Sequence, residues 1–201
     1  MNNENENIKI FKNLIKQKGI IDSYKEKHRF FHTIKHLEDG FYSLGEKQLR
    51  EITIEQIYAW VFHDIIYEIP SFDGRNEKLS VDCMKKFVDS KNIKNLDVDK
   101  VSQIIIDTIE HKPSIEESKI IMDIDLISLS FEYKKFLFYR KKVSKEYLSY
   151  YSFSEVIRGT INFTDTILSM ERIFNTDKFF EEREDITRYN LIRYKKELMS
   201  L

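Results

Sequence analysis

The histidines and aspartates of this chain fall in a pattern that metal chemistry can use. There are five histidines, at positions 28, 32, 36, 63 and 111; three lie within nine residues, and His63 is followed directly by Asp64. Imidazole nitrogen and carboxylate oxygen both bind Mn, Fe, Co, Ni or Zn, so a His-Asp pair at a helix end can seat one divalent ion. Adjacent helical residues point about 100° apart, so the pair works where the ion lies between the two directions. His32 and His36 share one helical face if the helix has begun by His32. The same spacing occurs in His-Glu-x-x-His zinc proteases, but Thr33 stands where the general base would be, which argues against that reaction. His32 is read as a metal ligand near a helix start, with Thr33 as N-cap and His36 beside the metal or facing substrate. Glu68 and Glu77 are the remaining acids near the site, able to serve as general acid or base. Arg29, Lys35 and the His111-Lys112 pair could meet a substrate phosphate, as could Arg140 or Lys141.

The surrounding order sharpens this. It runs Arg29-Phe30-Phe31-His32-Thr33-Ile34-Lys35-His36, then Trp60-Val61-Phe62-His63-Asp64, then Asp123-Ile124-Asp125-Leu126. His, His-Asp, Asp is the ligand order of the HD superfamily. The chain resembles its branch of predicted metal-dependent HD phosphohydrolases, a likeness that extends to Asn76-Glu77, Ser80, His111, Glu146-Tyr147, Gly159, Glu184, Arg188 and Asn190-Leu191. Two positions depart from the branch: Ser144 stands where arginine is usual, and Thr160 where Gly-Arg is usual. The resemblance implies an HD-type helical bundle in which His32, His63, Asp64 and Asp125 hold a divalent ion (Mn, Fe, Co, Ni, Mg or Zn, with Mn favoured). The leucine context favours Asp125, and Asp123 stays open. It further implies that Asp64 orients a metal-activated water, that Glu68 works as acid or base, and that Arg29, Lys35, His36, Glu77, His111 and Lys112 face a small phosphorylated, nucleotide-like substrate.

The elements that must carry these residues read as helices. Only five Gly and two Pro occur, and apolar residues recur three and four apart. Ile8, Phe11, Leu14 and Ile15 form one face, with Gly19 expected to close the helix. Ile34, Leu37, Phe41 and Leu44 form a second that stops at Gly45. Thr53 and Gln56 make a capping box ahead of Ile54 to Ile65. Pro70 to Gly74 reads as a loop and Arg75 to Val88 as a helix. Another spans Val101 to Thr108, and Ser114 with Glu117 opens one through Ile120 to Leu129. Three amphipathic helices follow, around Phe131 to Leu148, Glu155 to Phe174 and Asp177 to Leu198. One all-α domain is expected over residues 1–201, with the metal-site core about 20–130 and C-terminal helices about 131–201.

Composition narrows the function classes. Lys plus Arg number 33 against 34 Asp plus Glu, a formal charge of -1, so the long-range field that draws a protein to nucleic acid is missing. Basic residues between Lys134 and Lys145 have the spacing of a solvated helix face. The longest apolar run, Ile57 to Phe62, falls far short of the roughly 20 residues that span a bilayer. Met1 to Asn7 does not resemble a signal peptide. A single cysteine, Cys83, excludes an internal disulfide and fits a cytoplasmic setting. A homo-oligomer is compatible with all of this. The expected function is metal-dependent phosphate ester hydrolysis; the alternative is a non-catalytic nucleotide or metal sensor on the same fold.

Overall fold

The computed structural model describes residues 5–201; residues 1–4, the start of the segment read as unlike a signal peptide, lie outside the described residues. Among the described residues the chain is all-α: α1 (Glu6–Ile15), α2 (Lys18–Ser23), α3 (Ile34–Phe41), α4 (Glu46–Glu51), α5 (Ile54–Phe62), α6 (Arg75–Ser90), α7 (Val98–Asp107), α8 (Ser118–Asp125), α9 (Tyr133–Tyr147), α10 (Phe153–Ser169) and α11 (Asp177–Leu198). A 3-10 turn, Leu126–Ser130, follows α8 directly. No described helix is long and apolar enough to cross a membrane.

Helix α5 is the centre of the packing. Thr53 caps it, its hydroxyl accepting from the Gln56 N–H at 3.2 Å while Gln56 reaches back to the Thr53 N–H at 2.8 Å. Every residue from Gln56 to Phe62 is buried, with α1 on one side and α7 on another. Full burial of a side chain such as Phe62 contributes about 1.5–3 kcal/mol. Trp60 also fixes α3, its indole N–H donating to the Leu37 carbonyl at 2.9 Å. The two helices approach so closely that a Cβ on Gly40 would stand 2.3 Å from the Trp60 ring and 3.0 Å from the Ile124 carbonyl oxygen. Glycine is required there by contact.

The C-terminal helices lock onto the 3-10 turn through buried polar groups. The Asn190 amide donates to the Leu129 and Phe131 carbonyls at 2.9 and 2.8 Å. Glu184 accepts from the Ile173 and Phe174 N–H groups, and Arg188 ties Glu184 to the carbonyls of Leu168, Met170 and Glu171. The late Glu184, Arg188 and Asn190 pattern is therefore a clamp on the fold.

Three residues expected to end or open a helix do not do so, and α5, α8 and α10 stop at Phe62, Asp125 and Ser169, short of the expected bounds. Gly19 lies inside α2, since α1 already ends at Ile15, and Gly45 caps the start of α4. Ser114 does not open α8, which has Glu117 at its N-cap. Instead the Ser114 N–H and hydroxyl both donate to Asp107, at 2.8 Å each, tying down the loop between α7 and α8. In all three places a side chain or a glycine able to end a helix has been used by a neighbouring turn.

Candidate metal centre

Helix α5 delivers His63 and Asp64 at its carboxyl end. His63 is the C-cap residue, its ring stacked on Trp60 with centroids 4.6 Å apart and planes 10° from parallel. Its Nδ1 lies 2.8 Å from the Trp60 carbonyl, which can only accept, so Nδ1 carries the proton and a neutral ring presents a bare Nε2. The carbonyls that a helix end leaves open are satisfied from outside. Tyr24 donates to Val61 at 2.9 Å, and Arg29 to Asp64 at 2.7 Å and Ile65 at 3.1 Å.

Helices α3 and α8 bring the remaining donors. Nε2 of His36, Nε2 of His63 and a carboxylate oxygen of Asp125 all lie within 4.8 Å of one another. Asp125 Oδ1 is 3.1 Å from His36 and 3.5 Å from His63; Asp64 Oδ2 is 3.0 Å from His63 and 3.9 Å from His36. Despite this proximity both imidazole Nε2 atoms are fully buried and make no aligned hydrogen bond. Lone pairs facing carboxylates repel unless a cation or proton lies between them, so the donor set fits a divalent ion. Nitrogen and oxygen donors without thiolate suit Mn, Fe, Co, Ni or Zn.

The electrostatics agree. Burial alone would raise the carboxyls of Asp64 and Asp125, yet the facing imidazoles hold both below the usual range, so both are ionised. Burial would lower His63, but Asp64 and Asp125 outweigh it and hold the ring well above its ordinary value; His36, where burial dominates, is lowered. With no metal, a proton on His63 offsets the charge, and a bound cation would displace it.

The structure separates the two histidines of the Phe31 segment: His36 joins the cluster, and His32 bonds Glu146. Helix α3 begins only after Thr33, so the premise that His32 shares a helical face with His36 does not hold, and His36 alone is carried to the cluster. Thr33 sits at the N-cap but makes no side-chain capping bond. His32 lies in the preceding loop, where Nδ1 is 2.7 Å from Glu146 Oε2. Glu146, on α9 and wholly buried, also accepts from Tyr67 Oη and from the backbone N–H groups of Phe30, Phe31 and His32. Three successive amides on one oxygen form an anion-holding nest. Burial would raise this carboxyl, but His32 and the donors bring it down to about 2, and His32 is raised in turn by Glu146.

Of the other expected residues, the structure gathers some and disperses others. His111 meets the cluster, its Nε2 3.0 Å from Asp125 Oδ2, from a left-handed backbone conformation at φ 50°. Glu77 lines the cavity, with its carboxyl raised by burial. Asp123 is resolved from Asp125: it is buried on α8 against the loop after α10, accepting from the N–H groups of Asn175 and Thr176 at 2.6 and 2.9 Å. Glu68 is corrected as an acid–base candidate, because its carboxylate is exposed and paired with Arg75. The substrate roles expected of Arg29 and Lys35 are corrected too. Arg29 is buried on Glu26 and backbone carbonyls, and Lys35 is 60% exposed and paired with Asp39 at 2.8 Å. Lys112 is exposed and outside the cavity lining. Asn76 and Ser80 hold the backbone of Glu68 and Ile66, which positions the turn after Asp64.

No family model matches the chain, and neither does any curated protein or solved structure.

The centre opens on a cavity of about 610 Å³. Phe31, His32, His63, Asp64, Tyr67, Glu77, His111 and Asp125 line one part, and Arg140, Ser144, Tyr147, Tyr151, Thr160 and Phe163 of the α9–α10 region line another. That volume suits a molecule of nucleotide or sugar phosphate size. Glu146 was visible in the sequence only as part of a Glu-Tyr match and as an acid diluting a basic helix. Its signal was an acid on the buried stripe of Phe136, Tyr139 and Arg140.

Proposed function

We propose that this chain is a metal-dependent phosphohydrolase of HD type, acting on a small phosphorylated substrate. The observation that carries the reading is the pair of buried, unpartnered Nε2 atoms of His36 and His63 converging with Asp125 at a cavity wall. The HD-like order of histidines and aspartates supports it, with His36 in the place first given to His32. His36, His63, Asp64 and Asp125 would hold the ion, which when bound supplies Lewis acidity and water of lowered pKa.

The chain's own groups account for proton movement. His32 lines the cavity with Nδ1 bonded to Glu146, so its proton-bearing Nε2 is free to serve a substrate oxygen. Glu146 orients that ring and favours its protonated form, and the Tyr67 hydroxyl steadies Glu146. His32 would thus give a proton to the departing oxygen while Asp64 orients the attacking water. Phe31 and Tyr67 limit bulk water around the ring, their centroids 4.8 and 4.2 Å from that of His32.

Elemental analysis after reloading with Mn, paired with a phosphate-release screen over nucleotides and sugar phosphates, tests this. Wild type should hold near-stoichiometric metal and turn over. His36→Ala and Asp64→Ala should lose both, whereas His32→Ala should keep the metal and lose most turnover. Absence of metal from reloaded wild type overturns the proposal. A loaded wild type that retains a nucleotide unhydrolysed makes the chain a binding module.

A further inference from the structure

Arg140 is a buried cation at the cavity wall. It projects from α9 with only 8% of its surface exposed, and it lines the same cavity as His63, Asp64 and Asp125. Its Nε is fully buried without a hydrogen-bond partner. The guanidinium carbon lies over two aromatic rings, 5.6 Å from the Phe31 centroid and 5.9 Å from that of Phe163. Glu146 is the acid whose field acts on it, but both Glu146 oxygens already serve the Phe30 to His32 backbone, His32 and Tyr67.

A guanidinium stays charged and offers five N–H groups in a planar fork. Burial without an anion is costly, and burial here already pushes the Arg140 pKa down. Two aromatic neighbours soften that cost but accept none of the N–H bonds. What fits the fork is a planar or tetrahedral oxyanion. Phe31 sets the scale of the ligand: its ring is 4.8 Å from the His36 ring and 5.6 Å from the Arg140 guanidinium carbon. One small molecule can therefore touch the cluster and Arg140 together.

We propose that Arg140 is the anion receptor of this cavity, binding a phosphate group of the ligand through its unpartnered guanidinium. The inference deepens the phosphohydrolase reading and rests on it for the ligand class, but the binding step requires no turnover. Arg140 thereby sets specificity for a charged ester over a neutral one.

Calorimetric titration of inorganic phosphate into the purified protein at constant ionic strength tests it, using wild type, Arg140→Gln, Arg140→Lys and His36→Ala. Wild type should bind at one saturable site. Arg140→Gln should bind about tenfold or more weakly, and Arg140→Lys between the two. His36→Ala should lose its metal and still bind phosphate more tightly than Arg140→Gln does. Because removing an unpaired buried charge relieves the fold, Arg140→Gln should also unfold at a higher temperature without phosphate and gain less from adding it. The proposal is overturned by wild type that takes up no phosphate at about 10 mM, where even a weak millimolar site fills. It is overturned equally by undiminished binding in Arg140→Gln, or by loss in His36→Ala as complete as in Arg140→Gln, which would put the anion at the metal cluster. Failure of the metal reading shows separately, in metal content and phosphate release.

Discussion

Replacing Glu146 with Gln removes one charge from the protein interior and keeps the side-chain shape. The carboxylate holds the loop that presents His32, accepting from three backbone amides, the His32 ring and Tyr67. Its pKa falls from 4.5 to about 2 on folding, against a burial that would raise it. At about 1.4 kcal/mol per pH unit, that difference contributes about 3 kcal/mol when the group is ionised. The raised pKa of His32 expresses the same pair and is not added. Because the folded value is the lower one, the stability is fully present above pH 4.5 and is lost as pH falls through about 2. The His32 share works in the opposite direction, fading as pH rises through its raised value. The difference between wild type and Glu146→Gln should therefore peak near pH 6, at about 3 kcal/mol by urea denaturation. In a chain of this size that is about 6–12 °C in the midpoint of thermal unfolding. The gap should narrow steadily between pH 4.5 and pH 3. A difference under about 1 kcal/mol at pH 6, or one that stays constant on acidification, would refute the account.

Gly40→Ala should cost about 1–3 kcal/mol in denaturation, because the new methyl meets the Trp60 ring and the Ile124 carbonyl, neither of which can withdraw. Normal stability in that variant would mean α3 and α5 are not in such contact. The neighbouring aspartates should separate cleanly. Asp123→Ala should lose about 3 kcal/mol yet retain Mn, since its carboxylate ties down Asn175 and Thr176. Asp125→Ala should lose Mn, which elemental analysis reads directly. Adding Mn at about 100 times its dissociation constant should stabilise wild type by about 2.7 kcal/mol, or about 5–11 °C. His36→Ala should show no such shift, and an equal shift would move the ion elsewhere.

The helices were legible because their apolar spacing and the Thr53 capping box act locally. Asp177–Leu198 agrees with the expected bounds at both ends, and α6 begins at Arg75 as expected. Gly19 and Gly45 misled because a glycine permits a helix end without requiring one. At the centre, the proximity of His63, Asp64 and Asp125 could be anticipated from order, while that of His36 rather than His32 could not. It depended on where α3 begins and on Glu146, more than a hundred positions away in the chain. Arg29 and Lys35 misled for a related reason. A charge close in sequence to a clustered histidine shows neither which carbonyls surround it nor which face of its helix meets water.

The two parts of the cavity come from different stretches of chain. His63, Asp64 and Asp125 sit on or just after α5 and α8, whereas Arg140, Ser144, Thr160 and Phe163 sit on α9 and α10. Under the proposed function, the groups that react and the groups that select the ligand would then stand on separate helices. Substitutions along α9 and α10 can redraw ligand preference while the imidazoles and carboxylates stay in register. Ser144 and Thr160, the two positions that depart from the resembled branch, both lie on the α9–α10 wall.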